Sequence, residues 1–272
     1  MNKRYDGILL CSDFDHTLSS CTHKWIEGGS IMDAVPKNNV TAINRFVSEG
    51  GTFVMVSGRN PDEIYSLKSE IAMEDMFVAS NGTAVYSATE QKAVVSFPLD
   101  DGFVDVIRYL LKEEPAFAYF RITDNDFNFH HWYKGDDAEK VIKGAKYPAY
   151  KMIIQPATYD QSEVPDFKEK VVKKVVEKFS SRYKIDMSSD FTLEVCALGS
   201  GKGEAIKAML PLMNKKFKKI VCVGDGQNDI GMLKFADVSY AVGNAVDEIK
   251  KIADFVTVTS DKGALEYIIN EL

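Results

Sequence analysis

"GILLCSDFDHTL", residues 7–18, decides how the chain is read. Ile8, Leu9, Leu10 and Cys11 form an unbroken apolar run, the pattern of a strand covered on both faces. Two carboxylates, Asp13 and Asp15, stand one residue apart at its end. Like charges at about 4 Å repel by roughly 4 kcal/mol at an effective dielectric near 20. Such a pair at the end of a buried strand calls for a nearby cation, or for a division of labour between the two groups.

The same alternation continues outward from this strand. "VPKNNVTAINRFVSEGG" reads as a helix with Pro36 near its first turn and Gly50-Gly51 closing it. "TFVMVSGR" and "DMFVASNG" read as further buried strands. Between them, "NPDEIYSLKSEI" has Asn60 as N-cap, Pro61 at the first helical position and Glu63 at the third. The C-terminal part repeats the rhythm from "GKGEAIKAMLPLM" through "KKIVCVGDG", "NDIGMLKFA", "VSYAVGN", "AVDEIKKIA" and "DFVTVT" to "DKGALEYIINEL". Short apolar strands alternating with helices predict an α/β fold, a doubly wound parallel sheet with helices on both faces.

Residues 84–195 follow another pattern. Strand-like stretches come in adjacent pairs, "AVYSA" with "KAVVSF", "AFAYFRI" with "NFHHWYK" and "YKIDMS" with "FTLEVC", with helical patterns between them. This predicts an α+β domain at 84–195 inserted into a core made of 1–83 and 196–272. The lysines of "KEKVVKKVVEKF" read as the solvated face of an amphipathic helix.

The chain has 272 residues, 45% hydrophobic and 27% charged, which suits an ordinary globular protein of one large or two smaller domains. Its net charge of −7 argues against a nucleic-acid groove. Cys11, Cys21, Cys196 and Cys222 form no C-x-x-C pair and no disulfide framework. No stretch has the length of a signal peptide or membrane span, so a cytoplasmic location without membrane or nucleic-acid partners is expected. The oligomeric state is not legible.

In a parallel α/β sheet, ligands bind beyond the carboxyl ends of the strands. Those ends carry Asp13 and Asp15, then Ser57-Gly58-Arg59, then Asn81-Gly82, then Asp225 with Asn228 and Asp229; Lys202 stands among the glycines of "GSGKGEA". Singly, each could be a turn or cap residue. Together they form a set that fits phosphoryl chemistry. Mg²⁺ takes oxygen ligands, few of them carboxylates. Asp13 and Asp225 could supply carboxylates, and Asp15 its backbone carbonyl. A free carboxylic acid beside a leaving oxygen is a general acid, and a carboxylate held near an electrophile is a nucleophile.

"DFDHTL", "VSGR", "GSGKGEA" and "GDGQND" resemble, in order and spacing, the four motifs of the haloacid dehalogenase-like superfamily of phosphohydrolases, and "SNGT" resembles a signature of its Cof-type branch, whose members carry a large α/β cap. The resemblance implies a Rossmann-like core and a Mg²⁺-dependent phosphatase, with Asp13 as nucleophile and Asp15 as acid and base. It implies that Ser57 and Lys202 hold the phosphoryl group, with the backbone N–H groups of Phe14 and Gly58, and that Asn228 lies on the substrate side. Asp225 would bind the metal with Asp13 and the Asp15 carbonyl, and Asp229 would support it. His16 stands where the family more often has Gly.

The implied substrate is a small phosphate monoester, with sugar phosphates favoured by the branch. A phosphomutase or an inactive phosphate-binding domain is the alternative. A mutase would need a second anion site among cations such as Arg108, Arg121, Lys134 and Lys151. The inserted domain is expected to act as a mobile cap. Within it, "RITDNDFNFHHWYK" is the candidate substrate contact, and Phe127, Phe129 and Trp132 are equally well read as domain core.

Overall fold

A computed structural model describes residues 3–23, 29–114, 117–156, 160 and 164–272. The chain separates into two compact units, Met1–Val95 with Gly201–Leu272, and Ser96–Ser200.

The first unit contains β1 (Ile8–Ser12), α1 (Lys37–Ser48), β2 (Thr52–Met55), α2 (Pro61–Ser66), β3 (Met76–Ala79), β4 (Ala84–Ser87) and β5 (Lys92–Ser96). Five strands form a parallel sheet, and two of them flank β1: β2 on one side and β11 (Lys219–Gly224) on the other. Beyond β11 lie β12 (Val238–Ala241) and then β13 (Phe255–Val256) at the edge. A parallel bridge from Val56 to Val78 brings β3 beside β2, and β4 and β5 continue as an antiparallel extension. The chain thus winds outward from β1 in both directions. The carboxyl ends of β1 and β11 therefore flank the switch point. Leu9, Leu10, Cys11, Val221, Cys222 and Val223 are fully buried, as the continuous apolar runs require.

Local signals explain the helix that follows β2. Asn60 and Glu63 form the reciprocal capping box, with the Asn60 N–H donating to Glu63 Oε2 at 3.2 Å, and Pro61 opens the first turn.

In the second unit, the chain order is α3 (Val104–Glu113), β6 (Tyr119–Thr123), β7 (Phe129–Tyr133), α4 (Ala138–Gly144), β8 (Lys151–Gln155), helical turns over 164–179, β9 (Tyr183–Ser189) and β10 (Thr192–Ala197). The strands form one antiparallel sheet in the order β7-β6-β8-β10-β9. The predicted pairs 117–122 with 128–134 and 183–188 with 191–196 are present; Ala116, the first residue of one predicted strand, lies outside the described residues. Phe120, Ile122, Met152, Ile154, Leu193 and Val195 alternate onto the apolar side and pack with Phe103, Ile107, Leu110, Val171 and Val175 from the helices. The lysines of 168–174 form ion pairs: Lys168 with Asp190, Lys170 with Asp166, Lys173 with Glu169 and Lys174 with Glu114.

The hairpin "RITDNDFNFHHWYK" is held from inside. Trp132 is core, stacked on Phe120 at 5.2 Å and on Phe117 at 5.3 Å. Asp124 is buried at the turn, where its carboxylate accepts from the Asp126 and Asn128 N–H groups, both at 2.9 Å, and from His130 Nε2 at 2.8 Å. Burial pushes the Asp124 carboxyl up, but the bonds from His130, Asn128, Asp126 and Lys146 outweigh it and hold the group below the usual carboxylate range. Asp124→Asn puts an amide NH₂ where only acceptors fit, and should cost about 1–3 kcal/mol of stability. Because the folded-state pKa is depressed, this stabilisation is complete above the unfolded value of about 3.9 and is lost as pH falls through the folded one. Urea unfolding of parent and variant should therefore differ at pH near 7 and converge in acid. An equal difference at both pH values would contradict this role.

Candidate active site

Asp13 follows the last residue of β1, and its N–H still donates to Val223 O on β11 at 3.1 Å. Asp225 follows the last residue of β11. The two carboxylates therefore stand at the ends of adjacent strands because the strands are paired in register, Ser12 opposite Val223. The turn after β11 brings Asp229 back beneath Asp225. Asp229 Oδ2 accepts from the Asp225 N–H at 2.9 Å and the Gly226 N–H at 3.0 Å. This return needs Gly224, since a β-carbon there would lie 2.5 Å from the Asp229 carboxylate.

Lys202 opens the helix Lys202–Met209 and is wholly buried. Its ammonium lies 2.7 Å from Asp13 Oδ1 and 2.6 Å from Asp229 Oδ1. Oxygens of Asp13, Asp225 and Asp229 lie within 4.8 Å of one another. Asp225 also accepts from Thr17 Oγ1 at 3.1 Å. Burial would drive Lys202 down, yet Asp13 and Asp229 reverse this and keep it charged. Burial, together with Asp229, Asp225 and Asp15, pushes the Asp13 carboxyl well up against the pull of Lys202. Burial and Asp229 push Asp225 up to about 6. Three carboxylates against one ammonium leave an excess of negative charge in a dry place, which a divalent cation would neutralise.

Asp15 points elsewhere. Its carboxylate, 41% exposed, accepts two bonds from Arg59 Nε, at 3.2 and 3.0 Å, and one from Arg59 Nη2 at 2.7 Å. Arg59 also pairs with Glu63 at 2.6 Å and lies over the Phe14 ring, 5.0 Å from its centroid. The Asp15 side chain thus stands apart from the Asp13–Asp225–Asp229 group.

Ser57 is buried, and its Oγ accepts from the Arg59 N–H at 3.2 Å. Asn228 Nδ2 donates to Asn81 Oδ1 at 3.1 Å, and Asn81 packs on Gly58. His16 adopts the left-handed conformation, φ 56° and ψ 8°, which explains why Gly suits this position. Ser19 Oγ accepts from its N–H at 3.0 Å, and Asn244 Nδ2 donates to its carbonyl at 2.7 Å.

The structure therefore gathers Asp13, Lys202, Asp225 and Asp229 into one cluster, pairs Asp15 with Arg59, and links Gly58 to Asn228 through Asn81. Arg59 and Asn81 stand at strand ends in the sequence without an individual role there, and Thr17 has none. Arg59 could have been given one as the cation directly after Ser57-Gly58, and Thr17 as the hydroxyl four residues after Asp13.

The haloacid dehalogenase-like hydrolase family matches residues 10–269. The chain belongs to that family, and it is a hydrolase of the phosphatase kind. Phosphatase YwpJ of Bacillus subtilis is 34% identical over 85 residues, which cover 31% of this chain and 30% of that protein. A haloacid dehalogenase-like hydrolase from Bacteroides thetaiotaomicron superposes with a TM-score of 0.75 at 20% identity, covering 98% of this chain and 99% of its own. The HAD subclass IIB sugar phosphatase BT4131 superposes with a TM-score of 0.71 at 17% identity, covering 97% of this chain and 98% of its own. These structures share the fold. Among the described residues, no helix is long and apolar enough to cross a membrane.

Proposed function

We propose that this enzyme is a Mg²⁺-dependent phosphatase that hydrolyses a small phosphorylated metabolite, a sugar phosphate, through an aspartyl-phosphate on Asp13. The buried cluster in which Lys202 spans Asp13 and Asp229 beside Asp225 carries this reading. Its donors are all hard oxygens, the kind Mg²⁺ takes. Asp13, Asp225 and Asp229 would hold the ion, with the backbone carbonyl of Asp15. When bound, the ion offsets the charge of the phosphate and the carboxylates.

The chain's own residues supply the rest. Lys202, Ser57, Asn228 and the N–H groups of Phe14 and Gly58 hold the phosphoryl oxygens. Asp13 bonds to phosphorus as the ester P–O bond breaks, and Asp15, which must take up a proton and leave Arg59 when substrate binds, gives that proton to the departing oxygen. Asp15, now a carboxylate, takes a proton from the water that attacks phosphorus. The Asp13–P bond breaks, inorganic phosphate leaves and both aspartates are restored.

The sugar assignment is supported by the structural neighbour BT4131, a sugar phosphatase, and by the branch resemblance. Hydrolysis is favoured over mutase chemistry because two of the cap cations are already neutralised: Arg108 by Glu139 at 3.0 Å and Lys151 by Glu194 at 3.4 Å.

In a screen of phosphate monoesters, sugar phosphates should turn over ahead of nucleotides and pyridoxal phosphate. Excess chelator should abolish turnover, and Mg²⁺ should restore it and raise the unfolding temperature of metal-free protein. Full turnover in chelator would remove the metal from the mechanism, and a nucleotide preference would replace the substrate class.

A further inference from the structure

The turn that ends β3 has no part in the mechanism above, yet three of the loops assigned to phosphate meet there. Asn81 sits in it with φ 59° and ψ 32°, and is buried. Its N–H donates to Ser57 O at 3.0 Å. Its Oδ1 accepts from Asn228 Nδ2 at 3.1 Å. The same oxygen packs so closely on Gly58 that a β-carbon there would lie 2.6 Å away. The next residue, Gly82 with φ +84°, accepts from the Gly201 N–H at 3.3 Å, directly before Lys202. A β-carbon on Gly82 would lie 2.1 Å from the Gly201 carbonyl carbon. One turn therefore touches the Ser57-Gly58 loop, the start of the Lys202 helix and the Asn228 side chain.

We propose that Asn81 is a positioning residue of the phosphate site: its carboxamide ties the Asn228 amide to the Ser57-Gly58 loop, so that both present their donors to the same phosphoryl group. The inference rests on the phosphatase reading and deepens it. The Nδ2 of Asn228 carries two hydrogens, and the bond to Asn81 uses one and aims the other. Few residues can do this. The left-handed backbone favours Gly, Asn or Asp. Gly offers no acceptor to Asn228, and Asp would set a negative charge beside a phosphate dianion. Asn meets both demands.

The test is a double-mutant cycle of Asn81→Gly and Asn228→Ala in the active, Mg²⁺-supplemented enzyme, read through product inhibition by inorganic phosphate. Gly keeps the backbone conformation while removing the carboxamide. Each single variant should raise the phosphate inhibition constant about three- to tenfold, the scale of one neutral hydrogen bond, and KM should rise with it. The loss in the double variant should be smaller than the product of the two single losses, because Asn81 acts in part through Asn228. Multiplicative losses would overturn the proposal. So would an Asn81→Gly protein that unfolds at lower temperature yet binds phosphate like the parent. Asn228→Ala does not depend on the strained turn, so it decides the matter if Asn81→Gly does not fold: unchanged phosphate inhibition there also overturns it. A parent without phosphatase activity would refute the underlying reading, which is a separate and visible outcome.

Discussion

Asp13→Asn should abolish phosphate-ester turnover, by about 10⁴-fold or more, while leaving the fold intact. The carboxamide is nearly isosteric, but it is no nucleophile and a poor ligand for a cation. The fold should tolerate the change because it removes one of the three mutually repelling carboxylates and leaves Lys202 its bond to Asp229 at 2.6 Å. Circular dichroism and the unfolding transition should match the parent. Steady-state turnover near the parent level in this variant would refute the role of Asp13.

Lys202→Met should have a different and broader effect. Methionine fills a similar volume, but the ammonium that lies 2.7 Å from Asp13 and 2.6 Å from Asp229 is gone. Both carboxylates are almost wholly buried, so neither can recover its lost partner from water. Removing one member of such a buried set costs about 3–5 kcal/mol. Turnover should fall to the level of Asp13→Asn, because the phosphoryl group also loses its fixed cation. The pair of variants separates chemistry from scaffold: Asp13→Asn is inactive and stable, Lys202→Met inactive and unstable. A Lys202→Met protein as stable as the parent would show that the ammonium does not hold the cluster together.

The parts of this site that were legible in sequence are those fixed by strand geometry. Asp13 and Asp225 lie at the ends of continuous apolar runs, and parallel strands in register must bring such ends together. The capping box of Asn60 and Glu63 was legible because its partners are three residues apart. Contacts that depend on tertiary placement were not. Thr17 and Asp225 are 208 residues apart, and Asn81 and Asn228 are 147 apart. The pairing of Arg59 with Asp15 needs the turn after β2 to face the turn after β1, which neither turn specifies alone. In the inserted unit, β8 went unread although it is the middle strand of its sheet. "KMIIQ" is short and starts and ends with polar residues, so no period marks it. At the core edge, "DFVTVT" forms only the two-residue strand Phe255–Val256, paired with β12.

The central claim is that Asp13 takes the phosphoryl group. It is tested most directly by rapid acid quench of the Asp15→Asn variant mixed with nitrophenyl phosphate and Mg²⁺. Nitrophenolate leaves without much help from an acid, whereas hydrolysis of the intermediate loses its base, so phosphoenzyme should build up. Mass analysis of the quenched protein should place the phosphoryl group on the peptide that contains Asp13. A quenched protein with no phosphoryl group, or with one on another residue, would contradict the account.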